Sequence, residues 1–117
     1  MYCGTVDATL LGVCLLADAW RWGMDPVQVR ALIPSAERAL AWMADYGDAD
    51  GDGFLDYHDE FGRGLTNQGW KDSDDSVRFA EGTVAVGPVA LAEVQGYAYE
   101  ASLAGRRLVG GLRPARR

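Results

Sequence analysis

The sequence predicts an all-α domain of three to four helices, interrupted by one long loop rich in Asp and Gly. Three observations lead there. Apolar residues recur at helical spacing in three stretches, between residues 7 and 22, 25 and 46, and 88 and 108. Residues that start and stop helices stand at the ends of those stretches. Between the second and third stretch, Gly47 to Gly87 is polar and weakly patterned, and a loop of that length inside a small domain is usually functional.

The first helix is expected from about Asp7 to Trp22. Leu10, Leu11, Cys14, Leu15, Asp18 and Trp22 follow helical spacing, and Gly23 is its stop. The segment is apolar on most sides, which suits a helix buried on more than one face. Asp25-Pro26 is the next start, with Asp25 as cap and Pro26 as first residue. A short helix should run to about Leu32, and Pro34 should open another, to about Tyr46, where Gly47 ends it. The stripe of that helix is Ala36, Leu40 and Met43, flanked by Ala39 and Trp42. Short strands are expected at "GFLDY" and "GTVAVG" in the loop. Gly87-Pro88 opens the last helix, to about Leu108, with Ala90, Val94, Tyr97, Ala101, Ala104 and Leu108 as its buried stripe.

The 117 residues make one small domain and no second one. Apolar residues are 49% of the chain, so it is globular rather than disordered. No apolar run approaches the roughly 20 residues that span a bilayer, so no membrane partner is expected. The most apolar stretch, "TLLGVCLLADAW", is broken by Asp18 and followed by Arg21, with no basic n-region or cleavage site, so no signal peptide is expected. Cys3 and Cys14 lack metal-ligand spacing and read as reduced thiols in a cytoplasmic setting. His58, the one histidine, makes neither a zinc site nor a Ser-His pair. A net charge of −6 argues against nucleic acid as a partner. The charge is uneven. Ten of the 17 acids lie between Asp45 and Asp75, and five of the 11 basic residues follow Leu103. The basic ending "GRRLVGGLRPARR" reads better as the beginning of a further helix than as a solvated tail.

"DADGDGFLDYHD" places Asp48, Asp50, Asp52, Asp56 and Asp59 at positions 1, 3, 5, 9 and 12 of an EF-hand-like loop, with Gly53 at position 6. Such a loop would enclose calcium with its oxygens. Position 12 is Asp rather than the longer Glu, and Gly62 and Gly64 fall where a second helix would begin. The competing reading is a tight turn, in which Asp side chains bond their own backbone and Gly takes positive φ. That turn is preferred. Calcium through Asp48, Asp50, Asp52 and Asp56 is the alternative, and no other metal or cofactor is expected.

"NQGWKDSDDSV" sets a Trp and a Lys among two amides and three carboxylates. Saccharide clefts combine an aromatic face, which covers the apolar side of a pyranose, with amides and carboxylates that bond its hydroxyls. Here Trp70 supplies the face, and Asn67, Gln68, Asp72, Asp74 and Asp75 supply the bonds; Lys71 can reach a hydroxyl or pair with an Asp. Glycoside cleavage needs two carboxyl groups flanking the scissile bond, one to protonate the leaving oxygen and one to activate water or attack carbon. Clustered acids raise the pKa of the one that must stay protonated. The plain alternative is that Ser-Asp-Asp-Ser caps a helix and the charges are solvated.

"YCGTVDATLLGV", "YGDADGDGFLDY", "GLTNQGWKDSDDS" and "GPVALAEVQGYAYEA" together resemble bacterial amylo-1,6-glucosidase-like proteins of the glycogen-debranching type. The four motifs stand in the family's order and cover the chain to about Arg107. The resemblance implies a six-hairpin glycosidase, an (α/α)6 toroid of twelve helices in two rings, of which this chain would be a partial toroid. It implies inverting hydrolysis of α-glucosidic bonds, 1,6-branches of glycogen-like glucans among them, with α-glucan oligosaccharide or polysaccharide as partner. By "GWKDS" the general acid falls on Asp72. "EVQGY" places Glu93 and Gln95 at the start of a pocket-lining inner helix, and "GTVDAT" places a pocket-facing acid at Asp7. The family's "DATP" has Leu10 in place of Pro here. In inverting enzymes the two carboxyls stand about 6.5–9.5 Å apart. The family's general base has no counterpart among these residues, and twelve helices need roughly 240 residues at least. The expectation is therefore an internal piece of the catalytic barrel. The alternative is a carbohydrate-binding or structural remnant without turnover, self-associating through uncovered helix faces.

Overall fold

The computed structural model describes residues 5–59, 65–71, 73 and 75–112. Three helices make up the fold: α1 (Ala8–Arg21), α2 (Pro26–Tyr46) and α3 (Ala92–Leu112). Each packs against the other two, and the α1–α3 interface is the most extensive. Between α2 and α3, Leu55, Asp56 and Gln68 bond Gln95, Gly47 and Val6, which places these residues over the end of the bundle where α2 finishes and α1 and α3 begin.

α1 stops at Gly23, whose φ of 100° favours glycine and whose amide bonds the Trp20 carbonyl at 3.0 Å. α2 starts as the sequence indicates. Asp25 accepts from the Val27 amide at 2.7 Å, and Pro26 fills the first helical position. The expected break at Pro34 does not occur: α2 is a single helix through it. Proline removes one amide and crowds the carbonyl four residues earlier. That local loss is outweighed because Val29, Ile33, Ala36 and Leu40, on both sides of Pro34, pack into one continuous core.

α3 begins later than expected, at Ala92. Val89 exchanges both backbone hydrogen bonds with Tyr57, each 3.2 Å, so the chain after Pro88 is held extended and Ala90 stays exposed. Among the described residues, neither expected strand forms. "GFLDY" contributes only the Tyr57–Val89 bridge, and "GTVAVG" only an antiparallel bridge between Val84 and Arg78, closed through Gly82 at φ 91°.

The core draws Leu10, Val13 and Leu16 from α1, Val29 and Ala36 from α2, and Val94, Ala101, Ala104 and Leu108 from α3. Val6 and Tyr57 close it at the loop end. On α2 and α3 the buried stripes are largely those expected. On α1 the buried face is rotated: Leu15 is 70% exposed, and Leu11 and Trp22 also face outward. A helix apolar all round does not disclose which side meets its neighbours. Close approach of helices is set by glycine. A Cβ on Gly105 would lie 2.3 Å from Leu40, and one on Gly111 2.4 Å from Trp20. Cys14 is half-buried in α1, where burial, then the charges of Glu100 and Asp18, push its thiol pKa up; Cys3 lies outside the described residues. Among the described residues, no helix is long and apolar enough to cross a membrane.

Candidate functional site

The loop is organised by amides. Asn67 is 7% exposed. Its side-chain oxygen accepts from the Gly69 amide at 2.9 Å and the Tyr57 hydroxyl at 3.3 Å. Its amide nitrogen donates to the Ser76 hydroxyl at 2.6 Å and to the carbonyls of Lys71 and Ser73. Gly69, Lys71, Ser73 and Ser76 are thus gathered around one buried side chain. Gln95, in the first turn of α3, does the same for the preceding segment. It donates to the Leu55 carbonyl at 2.6 Å and accepts from the Leu55 amide at 2.9 Å. The sequence points both amides at saccharide; in the structure both also bond and shape the loop.

That arrangement leaves Trp70 64% exposed, with the Lys71 ammonium 5.9 Å from its ring centroid. Trp70, Lys71 and Asn67 share a cavity of about 370 Å³ with Glu93 from α3. Arg78 and Leu91 complete its wall. Arg78 was not singled out by the sequence; it donates to Asp75 at 2.6 Å and to the Gly82 carbonyl at 2.8 Å. Asp75 also accepts from Ser73, and that bond, then Arg78, holds its carboxyl below the usual carboxylate range. Asp75 is not among the residues of the Trp70 cavity. Asp72 and Asp74 lie outside the described residues.

Gln68 stands apart from Trp70. It lines a second cavity, of about 330 Å³, together with Asp56, Trp42, Tyr46 and Tyr57. Its carbonyl accepts from the Val6 amide at 3.0 Å, which joins the loop to the start of α1. Asp7, the acid expected to face the pocket, stands before α1 and accepts from the Thr5 hydroxyl; it is not among the residues lining either cavity.

In the Asp-rich turn, Asp48, Asp50 and Asp56 bring carboxylate oxygens within 4.8 Å of one another. Asp52 is not part of that group and accepts from the Phe54 amide at 2.8 Å. Asp48 accepts from the amides of Gly51, Asp52 and Gly53 at 2.7, 3.1 and 3.0 Å. Gly51 and Gly53 take positive φ, as the tight-turn reading requires. Asp56 is 7% exposed; one of its oxygens accepts from the Ala49 amide at 3.1 Å. Burial, and then the charges of Asp50, Asp48 and Asp52, push its carboxyl up, against the lowering effect of the Ala49 bond.

The chemistry available at the Trp70 cavity is that of a small polar cleft with an aromatic lip. An indole face, an ammonium, a guanidinium and one carboxylate surround it. Compared with protein-family models, curated proteins and solved structures, the chain gives no match.

Proposed function

We propose that the Trp70 cavity is part of the saccharide cleft of a glycoside hydrolase that acts on α-glucosidic bonds, 1,6-linkages of glycogen-like glucans among them. One observation carries the reading: Trp70 and Glu93, far apart in sequence and on different segments, line the same cavity of about 370 Å³. An aromatic face opposite a carboxylate is what a pyranose with one apolar side and a rim of hydroxyls requires. In this reading Trp70 covers the sugar, Lys71 and Glu93 bond its hydroxyls, and Asp72 protonates the leaving oxygen. A second carboxylate, outside this sequence, activates water on the opposite face, giving inversion. The fold belonging to this reading is a partial (α/α)6 toroid. The outward-facing Leu11, Leu15 and Leu32 support it, because further helices would cover them.

Saturable binding of isomaltose-type substrates tests the cleft in this chain; glucose release is expected only where a second carboxylate completes it, and there the Asp72→Asn variant should abolish it. Undiminished release by that variant would remove Asp72 from the reaction. The same exposed apolar residues also fit a non-catalytic remnant that binds carbohydrate or associates with itself. Saturable binding of malto-oligosaccharide without glucose release would establish the carbohydrate-binding form.

A further inference from the structure

Tyr57 is bonded to both segments that supply the Trp70 cavity. It is buried, and its hydroxyl donates to the side-chain oxygen of Asn67 at 3.3 Å. That same oxygen accepts from the Gly69 amide at 2.9 Å, and the Asn67 nitrogen donates to the Lys71 carbonyl. Trp70 stands between Gly69 and Lys71, so both of its chain neighbours are bonded to one amide. The backbone of Tyr57 exchanges two bonds of 3.2 Å with Val89, which leads into α3, and Glu93 stands in the first turn of that helix. Burial, and then the charge of Glu93, push the phenol pKa up, so the hydroxyl keeps its proton and remains a donor.

The contacts of the Trp70 segment differ in what they resist. A Cβ on Gly69 would lie 2.5 Å from Leu91, so the chain before Trp70 is seated directly on the residue that precedes α3. Such a contact stops the segment from moving closer to α3 and supplies little pull. A hydrogen bond has a preferred length and direction, and resists displacement both ways. The Trp70 indole is largely exposed, so burial does little to fix its place. Tyr57 and Asn67 are both buried, where an unmade bond is not replaced by water. We infer that Tyr57 is a positioning residue of the Trp70 cavity: acting through Asn67, its hydroxyl sets the spacing between Trp70 and the Glu93 carboxylate. The inference rests on the proposed function for the ligand that this spacing serves, but its first readout needs no ligand.

The test uses the whole chain labelled with 5-fluorotryptophan, unmodified and as Tyr57→Phe. That change removes the hydroxyl and keeps the ring and the backbone pairing with Val89. The resonances of the four tryptophans are assigned through single Trp→Phe variants. Without ligand, the Trp70 resonance should move toward that of free 5-fluorotryptophan, while that of Trp20, which lies against Gly111 in α3, should stay. Isomaltose affinity should fall roughly fivefold, the worth of one such bond. A hydroxyl that only adds stability would lower the melting temperature and leave the Trp70 resonance of the folded variant in place. That result would overturn the inference, and so would an isomaltose affinity equal to that of the unmodified chain. Isomaltose that does not bind the unmodified chain would remove the cleft reading, and the ligand-free resonance would then decide this inference alone. Should Tyr57→Phe not fold, the unmodified chain carries the test. A Tyr57 hydroxyl proton protected from exchange and close to the Gly69 amide in proton spectra would support the inference, and its absence would overturn it.

Discussion

The side chain of Gln95 pairs with both backbone groups of Leu55, 40 residues away in sequence, through bonds of 2.6 and 2.9 Å. A side-chain amide here replaces a neighbouring strand. It ties the exit of the Asp-rich turn to the first turn of α3, and so fixes where the cavities lie relative to the bundle.

Replacing Gln95 by Leu keeps the volume and removes both bonds. The Leu55 amide and carbonyl are then left without partners in a half-buried position, at a cost of about 1–3 kcal/mol. Urea denaturation should show that loss as a lower midpoint with an unchanged slope. A loss below about 0.5 kcal/mol would mean that the clamp contributes little beyond what water supplies.

Asp56 sets a pH dependence. Its carboxyl pKa is raised, mainly by burial, so the native chain holds this proton more tightly than the unfolded chain does. The resulting stability is fully present below the ordinary Asp value and is lost as pH rises through the raised folded value. Asp56→Asn removes this titrating group. The variant should therefore gain melting temperature over the unmodified chain at pH 7, and the gain should shrink as pH falls toward about 4, the ordinary Asp value. Asp75 and Glu81, whose pKa values are lowered, act in the opposite sense, and their contribution begins to be lost only below the ordinary carboxylate values. Calorimetric scans across that range check the prediction. An equal difference at every pH would contradict it.

Calcium should not stabilise the chain. The oxygens of Asp48 already accept from three amides of their own turn, and Asp50 and Asp52 accept from the amides of Asp52 and Phe54. Titration calorimetry with calcium should be heatless, and melting should be the same with chelator. A saturable heat near one ion per chain would reassign the turn as a metal loop.

Much of the helical frame is readable from local chemistry. Asp25-Pro26 and Gly23 act through their own backbone and need no partner to be recognised. Pro34 misleads because its cost is local, whereas the packing of Val29 and Ala36 that overrides it is tertiary. The buried face of α1 is not legible, since Leu11 and Leu15 are as apolar as Leu10 and Leu16 and only neighbouring helices distinguish them.

The Trp70 cavity is partly legible. Trp70 and Lys71 stand out by composition, and Glu93 enters through the family resemblance. Asn67 and Gln68 look equivalent in sequence, yet they line different cavities. Trp42 reads as a helix flank, and Asp56 as one more acid in a turn. Only the return of the loop across the end of α2 brings them together with Gln68.

In the proposed cleft the indole of Trp70 forms one face of a saccharide site. Isothermal calorimetry with isomaltose and maltotriose, on the unmodified chain and on Trp70→Ala, measures that contribution. Trp70 is largely exposed, so its removal should leave the melting temperature nearly unchanged. Binding should be saturable and should weaken at least tenfold in the variant. Binding that is absent in the unmodified chain, or equally strong without Trp70, would contradict that role.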